Sequence, residues 1–494
     1  MKNLLYIISL CGLLTACDLQ EEPYGFYSDD NFYKSETDAE SGLLYAYNAL
    51  TFLEYSRGIF YIGDIPTETM SPKSDEAGDV YQLENWIANR ETEQLQYYFK
   101  YCYIAINRAN TVIDHIQNSS VLSETARRRI LGEAYFLRAW NYFNLVRTFG
   151  IVPVQTKMVA ELSQTTPPMA TGLDQLYDLI LGDLTRADNL LEVNKVFGRA
   201  DKVAAQSLMA KAYLTIASSK EHNVHRYTEM RREPRIMYDS AAYWAGKVVR
   251  DYKNVYDFDT NLRDIYDVDK PTGPEHIFIM PIDRSGTQEG NYSKLPLLFL
   301  PSNNSVPFYI RYGNGDLQRA NGNGWGVFLC NDEFVETQFS TTDKRRTELI
   351  HSDIYDASGN PIVPNQVKGY FSSKYVDPDF IGERTSARPY LIRFSDIALV
   401  YAEAAGPEAG LAYVNRIRER AGVTPLPSGM TTDKFREAVI KERALELAFE
   451  GNRLYDLRRT ASVTTTDIKA AGLSEAEAAY YPIPQREIDL NPNL

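Results

Sequence analysis

The feature that most constrains the fold is a series of long segments in which apolar residues recur every three or four positions. Two of them, residues 94–116 and 124–149, are neighbours along the chain, and Gly150 stands where the second pattern stops. This period is typical of amphipathic α-helices, and glycine favours a helix end because its backbone adopts conformations that other residues avoid. The two segments are therefore predicted to form an antiparallel helix pair.

The same period returns later in the chain. It covers residues 172–191, 201–217 and 240–252, and near the carboxyl end residues 392–405, 407–421 and 432–459. Helix pairs with recurring Ala, Tyr and Leu resemble tetratricopeptide repeats, although no strict repeat length is present. We therefore predict a mainly α fold, a degenerate tetratricopeptide-like scaffold of helix pairs with long loop insertions and a minor β component.

Two segments interrupt this scaffold. Residues 58–89 and 253–389 lose the helical period, and the second is rich in Gly, Asn, Asp and Pro and contains a short β-like run, HIFIMP, at 276–281. No linker rich in Pro or Ser separates them from the helices. Residues 31–494 are therefore predicted to form one domain, with the scaffold at 31–57, 90–252 and 390–494. Long insertions in a compact chain are usually functional.

The amino-terminal residues indicate export rather than folded structure. A basic start at Lys2 precedes the apolar run LLYIISLCGLL at 4–14, which is too short to span a bilayer, and Leu-Thr-Ala-Cys ends at Cys17. This pattern predicts a lipoprotein signal peptide at 1–16, acylation of Cys17 and an acidic tether at 17–30. Acyl chains on Cys17 would hold the mature chain on a membrane. The alternative is ordinary signal-peptide cleavage beside an incidental cysteine.

The sequence offers no pattern typical of catalysis or of nucleic-acid binding. The 66 acidic residues outnumber the 52 basic ones, and a net charge of −14 repels phosphate backbones. Nucleophile-elbow, zincin, Walker A and dinucleotide-binding motifs are missing from the sequence. His222 and His225 are predicted to lie in a solvated loop, and Glu442, Glu446 and Glu450 to form ion pairs. No catalytic residue, metal or cofactor is predicted.

Aromatic and polar residues in the two insertions are the remaining candidates for function. A sugar ring has an apolar face edged with hydroxyls, so its binding site requires an aromatic plate with polar groups around it. Trp325 has an alternative interpretation as the first core residue of a structured segment, since Gly-Val-Phe-Leu follows it. The residues predicted to form one ligand-binding surface are Tyr81, Trp86, Tyr309, Arg311, Asn323 and Trp325.

Several motifs together resemble one known family. They are AINRAN at 105–110, GEAYFLRA at 132–139, FGIVP at 149–153, LIRFSDI at 391–397, ELAFEGNR at 446–453 and YPIP at 481–484. In this order, and with the cysteine motif ahead of them, they resemble the SusD/RagB family of Bacteroidetes outer-membrane lipoproteins. The resemblance extends over essentially the whole chain. It implies a scaffold of tetratricopeptide-like helix pairs, no enzymatic activity, and nutrient capture beside a SusC-like TonB-dependent transporter.

The shared motifs belong to the scaffold, so the family's ligands do not transfer with them. Only Cys17 and the scaffold residues carry over, and the six aromatic and polar residues are inferred from their position and chemistry. The leading hypothesis is a lipid-anchored, surface-exposed binder of oligosaccharides. A peptide-binding RagB-like protein and a structural transporter lid with little ligand affinity remain open, with a glycosidase as a distant alternative.

Overall fold

The computed structural model describes residues 32–76, 78–285, 293–362, 367, 369–382 and 384–494. The predicted signal peptide at 1–16, the acylation site Cys17 and the tether at 17–30 lie outside these residues. Among the helices that are described, none is both long and apolar enough to cross a membrane.

The described residues are predominantly helical, which confirms the predicted fold class. The amino-terminal half contains α1 (Glu36–Thr51), α2 (Leu53–Gly63), α3 (Asp79–Glu84), α4 (Glu93–Ile116), α5 (Glu124–Phe149), α6 (Leu173–Leu190), α7 (Lys202–Glu221) and α8 (Pro234–Asp251). After these come α9 (Leu295–Phe299), α10 (Asp332–Gln338), α11 (Lys344–Leu349), α12 (Phe394–Ala405), α13 (Pro407–Arg420), α14 (Thr432–Glu446), α15 (Arg453–Arg459), α16 (Val463–Thr466), α17 (Glu475–Ala479) and α18 (Gln485–Leu490).

The long helices pack in chain order, as helix pairs do. Helix α4 packs on α5, α5 on α6, α6 on α7 and α7 on α8, and α8 then contacts α12. Helix α5 has the predicted bounds because both of its ends are specified locally. The Ser123 hydroxyl accepts a hydrogen bond from the Ala126 N–H at its start, and Gly150 ends it with a φ of 76°.

One predicted helix is wrong in its length. The segment 432–459 was expected to be continuous, but α14 ends at Glu446 and α15 begins at Arg453. Between them Phe449 and Gly451 have positive φ angles, and the Gly451 N–H donates to Asp64 Oδ2 at 2.7 Å. A contact with the end of α2 thus replaces a turn of helix, because a tertiary hydrogen bond outweighs a weak local helix preference.

The described residues also form short strands, all of them in two-stranded antiparallel sheets. The pairs are β1 (Met70–Pro72) with β5 (Phe328–Cys330), β2 (His276–Ile279) with β8 (Tyr390–Arg393), β3 (Phe308–Arg311) with β4 (Leu317–Ala320), and β6 (Ile350–His351) with β7 (Phe371–Ser372). Strand β2 confirms the β-like run at 276–281. The first insertion is less loop-like than expected, since α2 crosses its start and α3 lies inside it.

Charged side chains are buried where the carboxyl-terminal helices meet the second insertion. The prediction that three glutamates of this region form ion pairs is confirmed, but their partners are distant in sequence and are not the neighbouring Arg443, Arg453 and Arg458. Burial alone would raise the pKa of Glu450, but Arg393 and Lys374 lower it below its ordinary value. The pairs are Glu442 with Arg345 at 2.6 Å, Glu446 with Arg420 at 2.7 Å, and Glu450 with Arg393 at 2.8 Å.

Asp64, next to the end of α2, is a fully buried carboxyl group. Its Oδ2 accepts the Gly451 N–H, whereas its Oδ1 has no hydrogen-bond partner within the described residues. Burial raises the pKa of Asp64 from 3.8 to about 7, and the Gly451 hydrogen bond opposes this shift only in part. The folded protein therefore binds a proton there at a pH where the unfolded chain has released it.

This shift has a direct consequence for stability. Because the folded pKa exceeds the unfolded one, the native protein loses stability as the pH rises from about 4 to about 7. We expect Asp64→Asn to raise the melting temperature at about pH 8 and to leave it nearly unchanged at about pH 4, since the amide does not titrate and still accepts the Gly451 N–H. Thermal melts across this range, with the exposed Asp239→Asn as control, measure the difference. An equal gain at both pH values would contradict the assignment.

Candidate functional site

The two insertions meet in the folded chain. Strand β1 of the first insertion pairs with β5 of the second, with Met70 opposite Cys330 and Pro72 opposite Phe328. The Lys73 N–H extends the ladder by donating to the Val327 carbonyl at 3.0 Å. Val327 is two residues from Trp325, so the ladder brings the first insertion close to this tryptophan along the chain. Residues that are about 250 positions apart in sequence are therefore neighbours in the folded chain, and the two insertions are joined by this ladder.

Trp325 presents its indole ring to the solvent. The side chain is 45 % exposed, and Lys294 Nζ lies 5.5 Å from the ring centroid. Its backbone is held in place, since the Trp325 N–H donates to the Leu297 carbonyl at 2.6 Å and the Gly326 N–H to the Leu300 carbonyl at 2.9 Å. The alternative interpretation of Trp325 as the first core residue is therefore wrong, because the first apolar side chains of this segment to be buried are those of Val327 and Phe328.

Tyr309 and Arg311 lie on the outer face of the β3–β4 hairpin. Side chains alternate along β3, so Phe308 and Ile310 are buried while Tyr309 is half-buried and Arg311 is exposed. The Arg311 guanidinium lies 4.2 Å from the ring centroid of Tyr355, which is paired with Tyr309 through two backbone hydrogen bonds. The result is an exposed patch in which a cation stacks on an aromatic ring.

Asn323 is exposed between this hairpin and Trp325. Its N–H donates to Asn321 Oδ1 at 3.1 Å, and its backbone bridges to Ser302. The side-chain amide offers both donors and an acceptor to the solvent side of the loop. Asn323 therefore supplies an exposed polar group two residues before Trp325, on the same loop.

The two aromatic candidates of the first insertion differ in burial. Tyr81 lies on α3 and is 52 % exposed, whereas Trp86 is 8 % exposed. The Trp86 ring stacks on Tyr481 with a centroid separation of 6.1 Å, and its Nε1–H donates to Asp467 Oδ2 at 3.2 Å. The expectation that Trp86 faces a ligand rather than the protein is wrong, because the chain turns inward after α3 and packs this ring on the carboxyl-terminal segment.

A polar cavity of about 580 Å³ borders the β3–β4 hairpin. Arg263 lies 4.5 Å from the ring centroid of Tyr312 in its lining, and burial raises the pKa of the Tyr312 hydroxyl to about 12, although Arg263 opposes the shift. The phenol therefore stays protonated at neutral pH and remains a hydrogen-bond donor. The other polar lining residues are Asn261, Asp264, Tyr266, Asp267, Asp316, Gln318, Arg319 and Ser373.

The described residues contain no group of three or more His, Cys, Asp or Glu side chains that could hold a metal ion. His276 and His351 are buried, and burial lowers the pKa of His276 to about 4 and that of His351 to about 3. Both rings are therefore neutral at physiological pH. Their hydrogen bonds to nearby protein groups are those of structural histidines.

Sequence reasoning missed Lys294 and Tyr355. Both lie in the second insertion, which was predicted to be functional, but neither stands beside the aromatic candidates in sequence. Lys294 approaches Trp325 from the start of α9, and Tyr355 reaches β3 through a backbone pairing. The composition of the second insertion indicated the region. Which residues contact Trp325 and Tyr309 depends on tertiary contacts that no local sequence pattern encodes.

Comparisons with known families match two parts of the chain. A family model described as "SusD family" matches residues 340–494, and one described as "Starch-binding associating with outer membrane" matches residues 33–214. SusD-like protein P38 of Formosa agariphila is 26 % identical over 99 % of this chain and 97 % of its own length. A SusD-like protein of Bacteroides ovatus is 25 % identical over 92 % of this chain and 82 % of its own length.

Solved structures share the fold. A SusD homolog from Bacteroides thetaiotaomicron superposes with a TM-score of 0.77 at 20 % identity, covering 95 % of this chain and 98 % of its own. A structure described as a laminarin-binding SusD-like protein has a TM-score of 0.73 at 23 % identity, covering 93 % and 98 %. NanU of B. fragilis has a TM-score of 0.75 at 20 % identity, covering 95 % and 98 %.

Proposed function

The chain belongs to the SusD/RagB family, and on this premise we propose that it is a non-catalytic lipoprotein that binds oligosaccharides and passes them to a SusC-like TonB-dependent transporter. The description of one matching family names starch binding and association with the outer membrane, which supports a glycan ligand and a location at the outer membrane. A structural neighbour described as laminarin-binding supports the same ligand class. The transporter and the lipid anchor are part of the proposal.

The observation that carries the ligand class is the exposed indole of Trp325 on an anchored loop. An exposed indole ring contributes little to the stability of the fold, but its flat apolar face can stack on the apolar face of a sugar. Because backbone hydrogen bonds already hold the loop, binding does not have to order it. Lys294 beside the ring and Asn323 nearby in sequence supply groups that bind hydroxyls.

We expect Trp325→Ala to weaken oligosaccharide binding by about 2 kcal/mol or more, roughly 30-fold in Kd, because a tryptophan that stacks on a ligand is typically a hot spot of the binding free energy. The melting temperature should change little, since nearly half of the side chain is already in water. A glycan array probed with the chain from residue 18 onward identifies the ligand, and calorimetric titration then measures Kd.

Tyr243→Ala is the matched control, because Tyr243 is 54 % exposed on α8, outside both insertions. It should leave the affinity unchanged. Unaltered binding by Trp325→Ala would remove Trp325 from the site. Binding of peptides but not glycans in the same titrations would favour the RagB-like alternative, and binding of neither would favour a transporter lid.

The anchor is tested separately. We expect Cys17→Ala to move the protein from the membrane fraction to the soluble fraction, because Cys17 is the residue that the amino-terminal motif marks for acylation. Cell fractionation followed by immunoblotting measures the distribution. Cys11→Ala, which changes the other cysteine of the amino-terminal segment, should leave it unchanged. Retention of Cys17→Ala in the membrane fraction would contradict the lipoprotein assignment.

A further inference from the structure

A groove of about 900 Å³ lies along one face of α4, and none of the described residues that line it belongs to either insertion. The lining comes from α4, from α1, from the segment 153–167 and from residues 487–494. At a rise of about 1.5 Å per residue, the α4 face from Phe99 to Thr111 is about 18 Å long. The groove is therefore separate from the site described above. Its apolar lining includes Phe99, Ile104, Pro153, Val159, Leu162 and Leu490.

Hydrogen bonds hold the walls of this groove in place. The Tyr103 hydroxyl on α4 donates to the Pro153 carbonyl at 2.7 Å. At the other end of the segment 153–167, the Asn491 side-chain amide donates to the Pro167 carbonyl at 2.9 Å. The segment is thus tied both to α4 and to the carboxyl-terminal residues. An occupant can bind without first ordering the groove, which lowers the cost of binding.

Apolar side chains at the rim of the groove lie in the solvent. Leu162 is 85 % exposed and Leu490 is 62 % exposed, and both line the groove. The cations Lys100 and Arg108 belong to the same lining, in which Glu487 is the one acidic side chain among the described residues. Exposed apolar surface collected in one groove is typical of an interaction site. The groove therefore favours an occupant that carries apolar rings and negative charge.

The first described residues of the chain lie at one end of this groove. Tyr33 lines it, and its ring stacks on His115 with a centroid separation of 4.4 Å. His115 lies one turn beyond Thr111, near the carboxyl end of α4. The Tyr33 ring also packs on Gly42 of α1, where a larger side chain would collide with it. The residues that precede Phe32 therefore start beside the groove.

The sequence of residues 18–31, which lie outside the described residues, is DLQEEPYGFYSDDN. It contains five acidic residues and no basic one, and its aromatic residues are Tyr24, Phe26 and Tyr27. Tyr27 precedes Tyr33 by six residues, which span at most about 22 Å when extended. This reach is comparable with the length of the α4 face. The segment thus has the chemistry that the groove favours and is long enough to enter it.

We propose that residues 24–27 bind in this groove, with their aromatic rings on its apolar walls and the neighbouring carboxylates near Lys100 and Arg108. Binding would shorten the free chain between Cys17 and the folded body from at most about 54 Å to at most about 25 Å. The body would then rotate less freely on its anchor, which restricts the direction that the Trp325 surface faces. The anchor rests on the proposed function, but the contact between segment and groove does not.

The test compares two forms of the chain from residue 18 onward. One is unchanged, and the other carries Tyr24→Ser, Phe26→Ser and Tyr27→Ser, which empties the groove. A fluorescein-labelled peptide of residues 18–31 is titrated into both, with fluorescence polarisation as the readout. We expect saturable binding to the serine form and at least tenfold weaker binding to the unchanged chain, because there the covalently linked segment competes at a high effective concentration.

A control peptide and three variants identify the contact. The same peptide with serine at its three aromatic positions keeps its charge and should not bind. In the serine form of the chain, Leu162→Asp and Leu490→Asp should each weaken the unmodified peptide at least tenfold, since they remove apolar surface and repel its carboxylates. Ile468→Asp is the matched control, because Ile468 is 89 % exposed and does not line the groove. Thermal melts verify folding, and either leucine variant suffices if the other unfolds.

Each outcome decides for or against the proposal. No binding to the serine form, equal binding to both forms, or binding that neither leucine variant weakens would overturn it. Dimerisation that Leu162→Asp abolishes, without peptide binding, would assign the groove to a second copy of the chain instead. Leu162→Asp should leave oligosaccharide affinity unchanged, so the groove and the Trp325 site can fail independently. Membrane retention of Cys17→Ala would reject the anchor without changing the peptide titration.

Discussion

Replacing Arg393 with methionine should lower the free energy of unfolding by about 3–5 kcal/mol, because it removes one of the two cations that neutralise each of the buried carboxylates Glu450 and Glu275. Arg393 is fully buried. Its Nε donates to Glu450 Oε2 at 2.8 Å and its Nη1 to Glu275 Oε2 at 2.6 Å, while Nη2 reaches the Glu446 carbonyl at 3.1 Å. One guanidinium thus joins α14, the segment after it and the residue before β2, so its loss affects the central contact between scaffold and insertion.

Denaturant titration measures this loss, with two further variants as controls. Arg393→Lys keeps the charge but not the planar fork, so it should cost less than methionine yet remain below the native protein in stability. Arg235→Met, on the exposed side of α8, should change stability by less than about 0.5 kcal/mol. Equal stability of Arg393→Met and the native protein would contradict the prediction. It would show that the carboxylates pair with other cations or become protonated.

The second large effect concerns Trp86. We expect Trp86→Ala to lower the free energy of unfolding by about 3–5 kcal/mol, since it removes a buried indole from its stack on Tyr481 and leaves a cavity. The loss also frees Asp467 Oδ2 from the indole N–H. Oligosaccharide affinity, measured below the melting transition, should stay within experimental error of the native value. Thermal melts and calorimetric titration are the two measurements.

Tyr81→Ala provides the matched comparison, because Tyr81 lies five residues earlier on α3 and is exposed. Its stability should differ from the native protein by less than about 0.5 kcal/mol. If Trp86→Ala instead weakened the ligand and melted normally, Trp86 would be a binding residue, as first predicted. The opposite behaviour expected of Trp325→Ala makes the two tryptophans internal controls for each other.

Much of the candidate site was within reach of the sequence. The composition of residues 253–389 marked the second insertion, and Arg311, Asn323 and Trp325 are exposed there. The binding role of Tyr81, Tyr309, Arg311, Asn323 and Trp325 remains a prediction. The burial of Trp86 was not accessible from sequence, because a single tryptophan at a helix end has no periodicity that assigns it to an inner or outer face.

The sequence alone determined most of the long helices, because the information that specifies them is local. Apolar period, the Ser123 cap and Gly150 act within a few residues, and α5 accordingly has its predicted bounds. Only the tertiary structure decided the β1–β5 ladder, the break between α14 and α15, and the opposite exposure of Trp86 and Trp325. The ladder, the break and the burial of Trp86 each depend on a partner hundreds of positions away, and Trp325 is held by Leu297 and Leu300 of a different segment. The free energy of such a contact belongs to the pair rather than to either local segment.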